Sequence, residues 1–120
     1  MKVCIPAEGT GLAAKVDARL GRAEHFVVVD SESGEVLQTI PNEQNKQAAA
    51  GAGVQAGQAI AGAGADAVLC AHCGPKAFRV LRAAGLKVYT GATGTVAEAI
   101  RALREGNLKQ ADEANTEGHW

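Results

Sequence analysis

Residues 66–106, DAVLCAHCGPKAFRVLRAAGLKVYTGATGTVAEAIRALREG, carry the pattern that decides the fold. Ala67-Val68-Leu69-Cys70 is a short apolar run of the buried-strand type. Pro75 stands where a first helical turn begins, a position at which its missing N–H has no intrahelical partner to lose. Phe78 and Leu81 give residues 76–84 an apolar face, and Gly85 supplies the stop. Residues 86–89 read as a second strand and 90–95 as a glycine-rich turn. Residues 96–105 read as a helix with Val96, Ile100 and Leu103 on one side, closed by Gly106. The succession is β–α–β–α, which calls for parallel strands and right-handed crossovers.

Toward the N-terminus the period changes. Residues 25–30 (HFVVVD) are β-branched and aromatic, and residues 35–40 (EVLQTI) alternate. Ser31-Glu32-Ser33-Gly34 lies between them, so the pair reads as an antiparallel hairpin. Residues 2–6 form another apolar run, stopped by Pro6 and Gly9. Residues 7–24 show no sustained period, and a loop of that length in a compact domain is functional or mobile. Residues 42–50 form a second loop, and 51–63 a small-residue helix with Val54 and Ile60 on its buried side. The sum is an α/β fold, a mixed sheet of about five strands with an antiparallel hairpin edge and about three helices on its faces. Residues 1–106 make one domain, and residues 107–120 a polar, flexible C-terminal tail.

Composition narrows the function. The apolar fraction is 47%, yet only 3% of residues are aromatic, so the core is built from small side chains that permit close backbone packing. A net charge of -1 argues against a general nucleic-acid binder. The apolar runs are too short to span a bilayer, and Met1-Lys2-Val3-Cys4-Ile5-Pro6 enters a strand directly rather than through a signal peptide. The expectation is a cytoplasmic protein with no membrane partner. Three cysteines, an odd number, do not make a disulfide framework and suit a reducing compartment.

Cys70-Ala71-His72-Cys73-Gly74-Pro75 is the richest constellation. It sets two thiols and an imidazole in a strand-to-helix loop at the carboxyl end of a parallel strand, where open α/β sheets bind ligands. Thiolate and imidazole suit copper, iron–sulfur units and zinc, and a helix start just after Cys73 favours its thiolate. The plainer alternative makes Cys70 a core residue and His72 a surface histidine. A structural zinc site needs four ligands, and Cys4, His25 and His119 are the candidates to complete one. The C-x-x-C spacing also fits a thiol–disulfide oxidoreductase, although those proteins carry the motif after an N-terminal strand and oppose it with a cis-proline.

Gly51-Ala52-Gly53-Val54-Gln55-Ala56 matches G-x-G-x-x-A but follows a polar loop instead of a strand. Its glycines either expose N–H groups to an anion at a helix start or let the helix pack closely. Gly74 opens the next helix in the same way. Arg19-Leu20-Gly21-Arg22, with Lys15 upstream, places two guanidinium groups in the long loop, suited to an anionic ligand. There is no G-K-[ST] for phosphate cradling, and the first strand has no carboxylate to begin a paired-metal nuclease site.

Taken in order, the segments form a pattern. Lys2-Val3-Cys4-Ile5-Pro6, Leu20-Gly21-Arg22-Ala23 and Phe26-Val27-Val28-Val29-Asp30 are followed by Gly51-Ala52-Gly53-Val54-Gln55. His72-Cys73-Gly74-Pro75-Lys76-Ala77-Phe78, Ala84-Gly85-Leu86-Lys87-Val88-Tyr89, Gly94-Thr95-Val96 and the terminal Asn115-Thr116-Glu117-Gly118-His119-Trp120 complete it. This order and spacing resembles the dinitrogenase iron–molybdenum cofactor biosynthesis family, and the short chain is similar to its stand-alone members. The resemblance implies a ribonuclease H-like three-layer fold without nuclease activity. It implies non-enzymatic binding, storage or delivery of an anionic metal–sulfur cluster containing molybdenum with iron or copper. It also implies a partner such as an ATPase or a cluster-accepting protein. The chain departs from the family pattern at Leu20 and at Glu24-His25, which makes His25 an added candidate ligand. Matched onto this sequence, the metal contacts would be Cys70, His72 and Cys73, with Arg19, Arg22, Gly51, Gly53 and Gly74 around the cluster. Two other functions stay open: thiol–disulfide exchange through Cys70 and Cys73, and a metal-free interaction module.

Overall fold

The computed structural model describes residues 1–42 and 52–111. Six strands form one sheet: β1 (Lys2–Ala7), β2 (His25–Asp30), β3 (Val36–Pro41), β4 (Ala67–Leu69), β5 (Lys87–Thr90) and β6 (Lys109–Gln110). Their order across the sheet is β3-β2-β1-β4-β5-β6. The β1–β4 and β4–β5 pairs are parallel and the other three antiparallel, so the hairpin lies at one edge as its turn residues predict. Three helices complete the described fold: α1 (Ala52–Gly62), α2 (Pro75–Ala83) and α3 (Val96–Arg104).

Strand alternation divides the core in two. On one face Cys4, Phe26, Val28, Val68 and Val88 pack with Ala56 and Ile60 of α1 and Ala77 and Leu81 of α2. On the other, Val3, Ile5, Val27, Val29 and Leu69 pack with Val96, Ala99 and Ile100 of α3. The three layers are therefore helix pair, sheet and single helix. Small side chains set the spacing between α1 and α2. A Cβ on Gly57 would lie 3.0 Å from Val80 Cγ1, closer than side chains normally approach. The glycine that sets this close approach is Gly57, against α2, and not the Gly51 and Gly53 that the sequence singled out.

Two local features differ from the sequence-based expectation. Pro6 lies inside β1, a central strand, where proline is normally excluded. Pairing of β1 with β4 stops at Cys4, so the N–H that Pro6 lacks removes no bond to that neighbour. The sheet also extends into the segment read as a tail. Lys109–Gln110 pair with Tyr89 and Thr90, Ala111 N donates to Val88 O at 2.7 Å, and Ala111 is buried. The remaining tail residues, and the stretch between β3 and α1, fall outside the described residues.

The long loop after β1 is ordered by backbone bonds. Asp17 N donates to Pro6 O, Val16 N to Gly94 O, and the first N–H groups of α3 donate to the carbonyls of Leu12 and Ala14. Thr95 caps α3 reciprocally: its hydroxyl accepts from Glu98 N at 3.2 Å, and its N–H donates to Glu98 Oε1 at 3.0 Å.

Candidate functional site

The carboxyl ends of β1, β4 and β5 lie along one edge of the sheet. β2 runs the other way, so its first residue, His25, pairs with Ala7 at that edge. The chain leaves β1 toward the hairpin side and leaves β4 toward β5. The loops after β1 and β4 thus diverge, which makes the β1/β4 boundary a topological switch point, the place where open α/β sheets hold ligands.

The loop after β4 carries Cys70, Ala71, His72, Cys73 and Gly74. Cys70 N donates to Tyr89 O at 2.9 Å and Cys70 Sγ lies 3.5 Å from the same carbonyl, which ties the thiol to the end of β5. Cys73 Sγ is 3.7 Å from Gly74 O. The Cys70 and Cys73 thiols are hydrogen-bonded to one another, and that contact holds Cys73 below the ordinary thiol range. The same contact, with burial, pushes Cys70 well up. A pair of this kind gives up its first proton readily and its second with difficulty. Both sulfurs are covered, whereas His72 between them is exposed to solvent. Gly74 is the N-cap of α2 in an extended conformation, with no side chain to cap the helix, and Pro75 follows at the first turn.

The loop after β1 brings the cations. Leu20–Arg22 form a single 3-10 turn packed against α1, and Leu20 and Ala23 share one buried cluster with Cys70, Cys73, Ala56 and Ala77. The arginine loop and the thiol loop therefore close over the same apolar layer. Asn42, just past β3, fixes the turn. Its Nδ2 donates to Ala23 O at 2.9 Å and to Gly21 O at 3.4 Å, and its backbone N–H donates to Glu24 O at 2.9 Å. Sequence reasoning passed over Asn42. Its only signal was a lone buried-type polar residue at a strand end, which by itself says nothing of a partner some twenty positions away. Asn42 Oδ1 and His25 Nδ1 are buried atoms without a hydrogen-bond partner among the described residues.

The other candidates fall as follows. Arg19 is exposed and its Nε is 3.9 Å from Asp17 Oδ1, whose carboxylate also accepts from Arg19 N. It lies on an open cavity of about 420 Å³ with Glu8, Asp17, Ala18 and Glu24, so the charge on that side is mixed. Arg22 is half-buried in the turn itself. Gly53 is in the first turn of α1, and Gly51 lies outside the described residues, as does His119. Cys4 shares the buried cluster of the loop thiols and adds to the rise of the Cys70 thiol. It pairs with Val68, two residues before Cys70 on the next strand, and burial pushes its thiol far up. His25 alternates with Val27 and Val29, whose side chains belong to the α3 face. It is thus on the opposite side of the sheet from Cys4 and Cys70. Among the described residues no three His, Cys, Asp or Glu side chains are grouped to hold a metal ion. The donor set is two buried thiols and a solvent-exposed imidazole in one loop, with the arginine turn on the same face of the sheet.

Known proteins share this fold. The apo form of the orange protein from Desulfovibrio gigas is 38% identical with a TM-score of 0.90, and the match covers 96% of both chains. A Thermotoga protein of the DUF35 family is also 38% identical, with a TM-score of 0.81 over 98% of each chain. An uncharacterised protein of Methanocaldococcus jannaschii is 30% identical over 111 residues, 92% of this chain and 91% of that one. The model of the dinitrogenase iron–molybdenum cofactor family matches residues 1–106, spanning every strand but the last and all three helices, and the chain belongs to that family.

Proposed function

We propose that this protein binds, stores or delivers an anionic metal–sulfur cluster and performs no chemistry on it. One observation carries the reading: the thiol loop and the arginine turn follow the two strands at the switch point between β1 and β4, and Leu20, Ala23, Cys70 and Cys73 belong to one buried cluster. A thiometallate is soft and negatively charged. It is held by a thiolate, cations and uncapped N–H groups, with no need of four fixed ligands. Cys73 and Cys70 would contact the metal and His72 would approach from solvent. Arg22 and Arg19 would balance charge, and the starts of α1 and α2, at Gly51, Gly53 and Gly74, would offer N–H groups. The cargo would contain molybdenum with iron, as the family's name suggests, or with copper, and the site would work in the cytoplasm beside a cluster-accepting protein or an ATPase. No helix among the described residues is long and apolar enough to cross a membrane, which is compatible with that placement.

The test is anaerobic incubation with tetrathiomolybdate and copper or iron, followed by desalting, metal analysis and a visible spectrum. Stoichiometric metal with sulfide-to-metal charge-transfer bands is the expected result, weakened in Cys73→Ser and in Arg22→Ala. A colourless, metal-free protein would overturn the reading and favour a metal-free interaction module.

A further inference from the structure

Charge is segregated on α2 in a way that the helix's own stability does not call for. Between Asp66 and Glu98 the sequence has no acidic residue and four cations, Lys76, Arg79, Arg82 and Lys87, although the whole chain carries thirteen acids against twelve cations. Three of the four are exposed on α2, whereas Lys87 alternates with Val88 and belongs to the other face of the sheet. By the helical period Arg79 stands opposite the buried Ala77 and Leu81, with Lys76 and Arg82 on either side of it. Among the described residues none of these three takes part in an ion pair or a side-chain hydrogen bond.

α3 shows the pattern that a helix dipole favours, with Glu98 in its first turn and Arg101 and Arg104 in its last. α2 has no acidic residue in its first turn and no side-chain cap at Gly74, and it sets Lys76 where the helix end is already positive. A local preference overridden along one helix face marks a surface that serves something else. We propose that this face of α2 docks an acidic surface of a partner protein, which sets the partner beside the exposed His72 of the preceding loop. That the partner gives or takes the cluster rests on the function proposed above; the docking itself does not.

The surroundings select a protein over other polyanions. A membrane-bound helix needs an apolar face free for lipid, and that of α2 is packed on the sheet and on Gly57 of α1. Single-stranded nucleic acid needs aromatic rings on which bases stack, and Phe78, the aromatic residue of α2, packs on the core. An acidic protein surface needs only spaced cations. Lys76 to Arg82 covers about 9 Å of helix, enough to meet two or three carboxylates, and the two guanidinium groups can each hold one bidentately.

The experiment follows isotope-labelled, full-length protein by NMR while an acidic peptide of glutamates and alanines is added at low salt. Amide shifts are expected to concentrate in residues 72–83 and to fade as salt is raised. Arg79→Glu combined with Arg82→Glu should weaken binding about ten-fold or more. Arg79→Lys combined with Arg82→Lys should keep most of it, and Arg101→Glu on α3 should bind as the parent does. Absence of shifts, shifts centred on Arg19–Arg22 or on α3, or equal binding by the charge-reversed protein would overturn the proposal. Tighter binding of a single-stranded oligonucleotide or of phosphatidylglycerol vesicles on the same face would also overturn it. Uptake of tetrathiomolybdate with copper is then measured on the charge-reversed protein. Uptake equal to the parent's supports a docking role, and its loss would show that the two arginines serve the cargo itself and overturn that role. Unsubstituted protein that takes up no cargo would refute the cluster function, while the peptide titration decides the docking separately.

Discussion

Replacing Asn42 with alanine removes the side chain that ties the arginine turn to the end of β3. The bond to Ala23 O is 2.9 Å and buried, and a buried carbonyl left without its donor costs about 1–3 kcal/mol. The bond to Gly21 O, at 3.4 Å, is near the limit of a hydrogen bond and adds less. The backbone bond to Glu24 O survives in alanine, and the unpartnered Oδ1 is removed, which offsets part of the loss. The expected net destabilisation is about 1–3 kcal/mol. For a domain of this size that corresponds to a fall of roughly 4 °C per kcal/mol in Tm. Urea unfolding followed by circular dichroism gives the magnitude, and hydrogen exchange of residues 19–23 shows whether the turn loosens locally. Asn42→Asp separates bonding from packing. It keeps the volume, loses both donors and sets a negative charge against two carbonyl oxygens, so it should be worse than alanine at neutral pH. The introduced carboxyl would have a folded pKa above its unfolded one, so the folded state binds more protons and the variant regains stability as pH falls through that value. A variant of either kind within about 0.5 kcal/mol of the parent at neutral pH would refute the claim that Asn42 holds the turn.

Three further outcomes follow from particular contacts. Gly94 has φ +78°, and a Cβ there would sit 2.6 Å from Glu98 Oε1, the atom that caps α3. Gly94→Ala should therefore cost about 1–2 kcal/mol in thermal unfolding, and an unchanged midpoint would contradict the strain argument. Asp30 accepts from the N–H groups of Glu32 and Ser33, which lowers its carboxyl below the ordinary range, and the Thr95 N–H does the same for Glu98. The unfolded chain binds more protons than the folded one in that window, so this stability is present above the unfolded pKa and is lost as pH falls through the folded values. Asp30→Asn should flatten the slope of stability against pH below about 4, and an unaltered slope would count against the assignment. Cys4 is fully covered and its thiol is pushed up by burial. It should resist alkylation in the folded protein and react once the chain is unfolded; rapid modification of Cys4 under native conditions would show that β1 opens.

Local pattern carried most of the architecture. The hairpin strand of residues 25–30 was legible to the residue because HFVVVD combines β-branching with a turn cluster after it. The second and third helices begin where the sequence says they should, at Pro75 and at Val96 after the glycine-rich turn. β6 was not legible. Lys109–Gln110 has neither period nor β-branched residues, and it becomes a strand because β5 offers an open edge and Ala111 reaches a buried place beside Val88. The 3-10 turn at Leu20–Arg22 was hidden for a related reason: Leu20 is a single apolar residue in a polar loop, and only the pocket between α1 and the thiol loop tells it where to go.

The same division runs through the site. Sequence alone placed Cys70, His72 and Cys73 between a strand and a helix, because chain connectivity within a few residues fixes which end of a strand a loop occupies. It also put Arg19 and Arg22 in a loop after the first strand. Only the tertiary structure decided that the two loops close over the same apolar layer, since that depends on β1 and β4 being parallel neighbours more than sixty residues apart in the chain. It likewise sent His25 to the opposite face, put Cys4 in one buried cluster with the loop thiols, and brought Asn42 under the turn. Strand alternation is a local rule, but which face meets which loop is settled by the packing of two helices on one side of a sheet and one on the other.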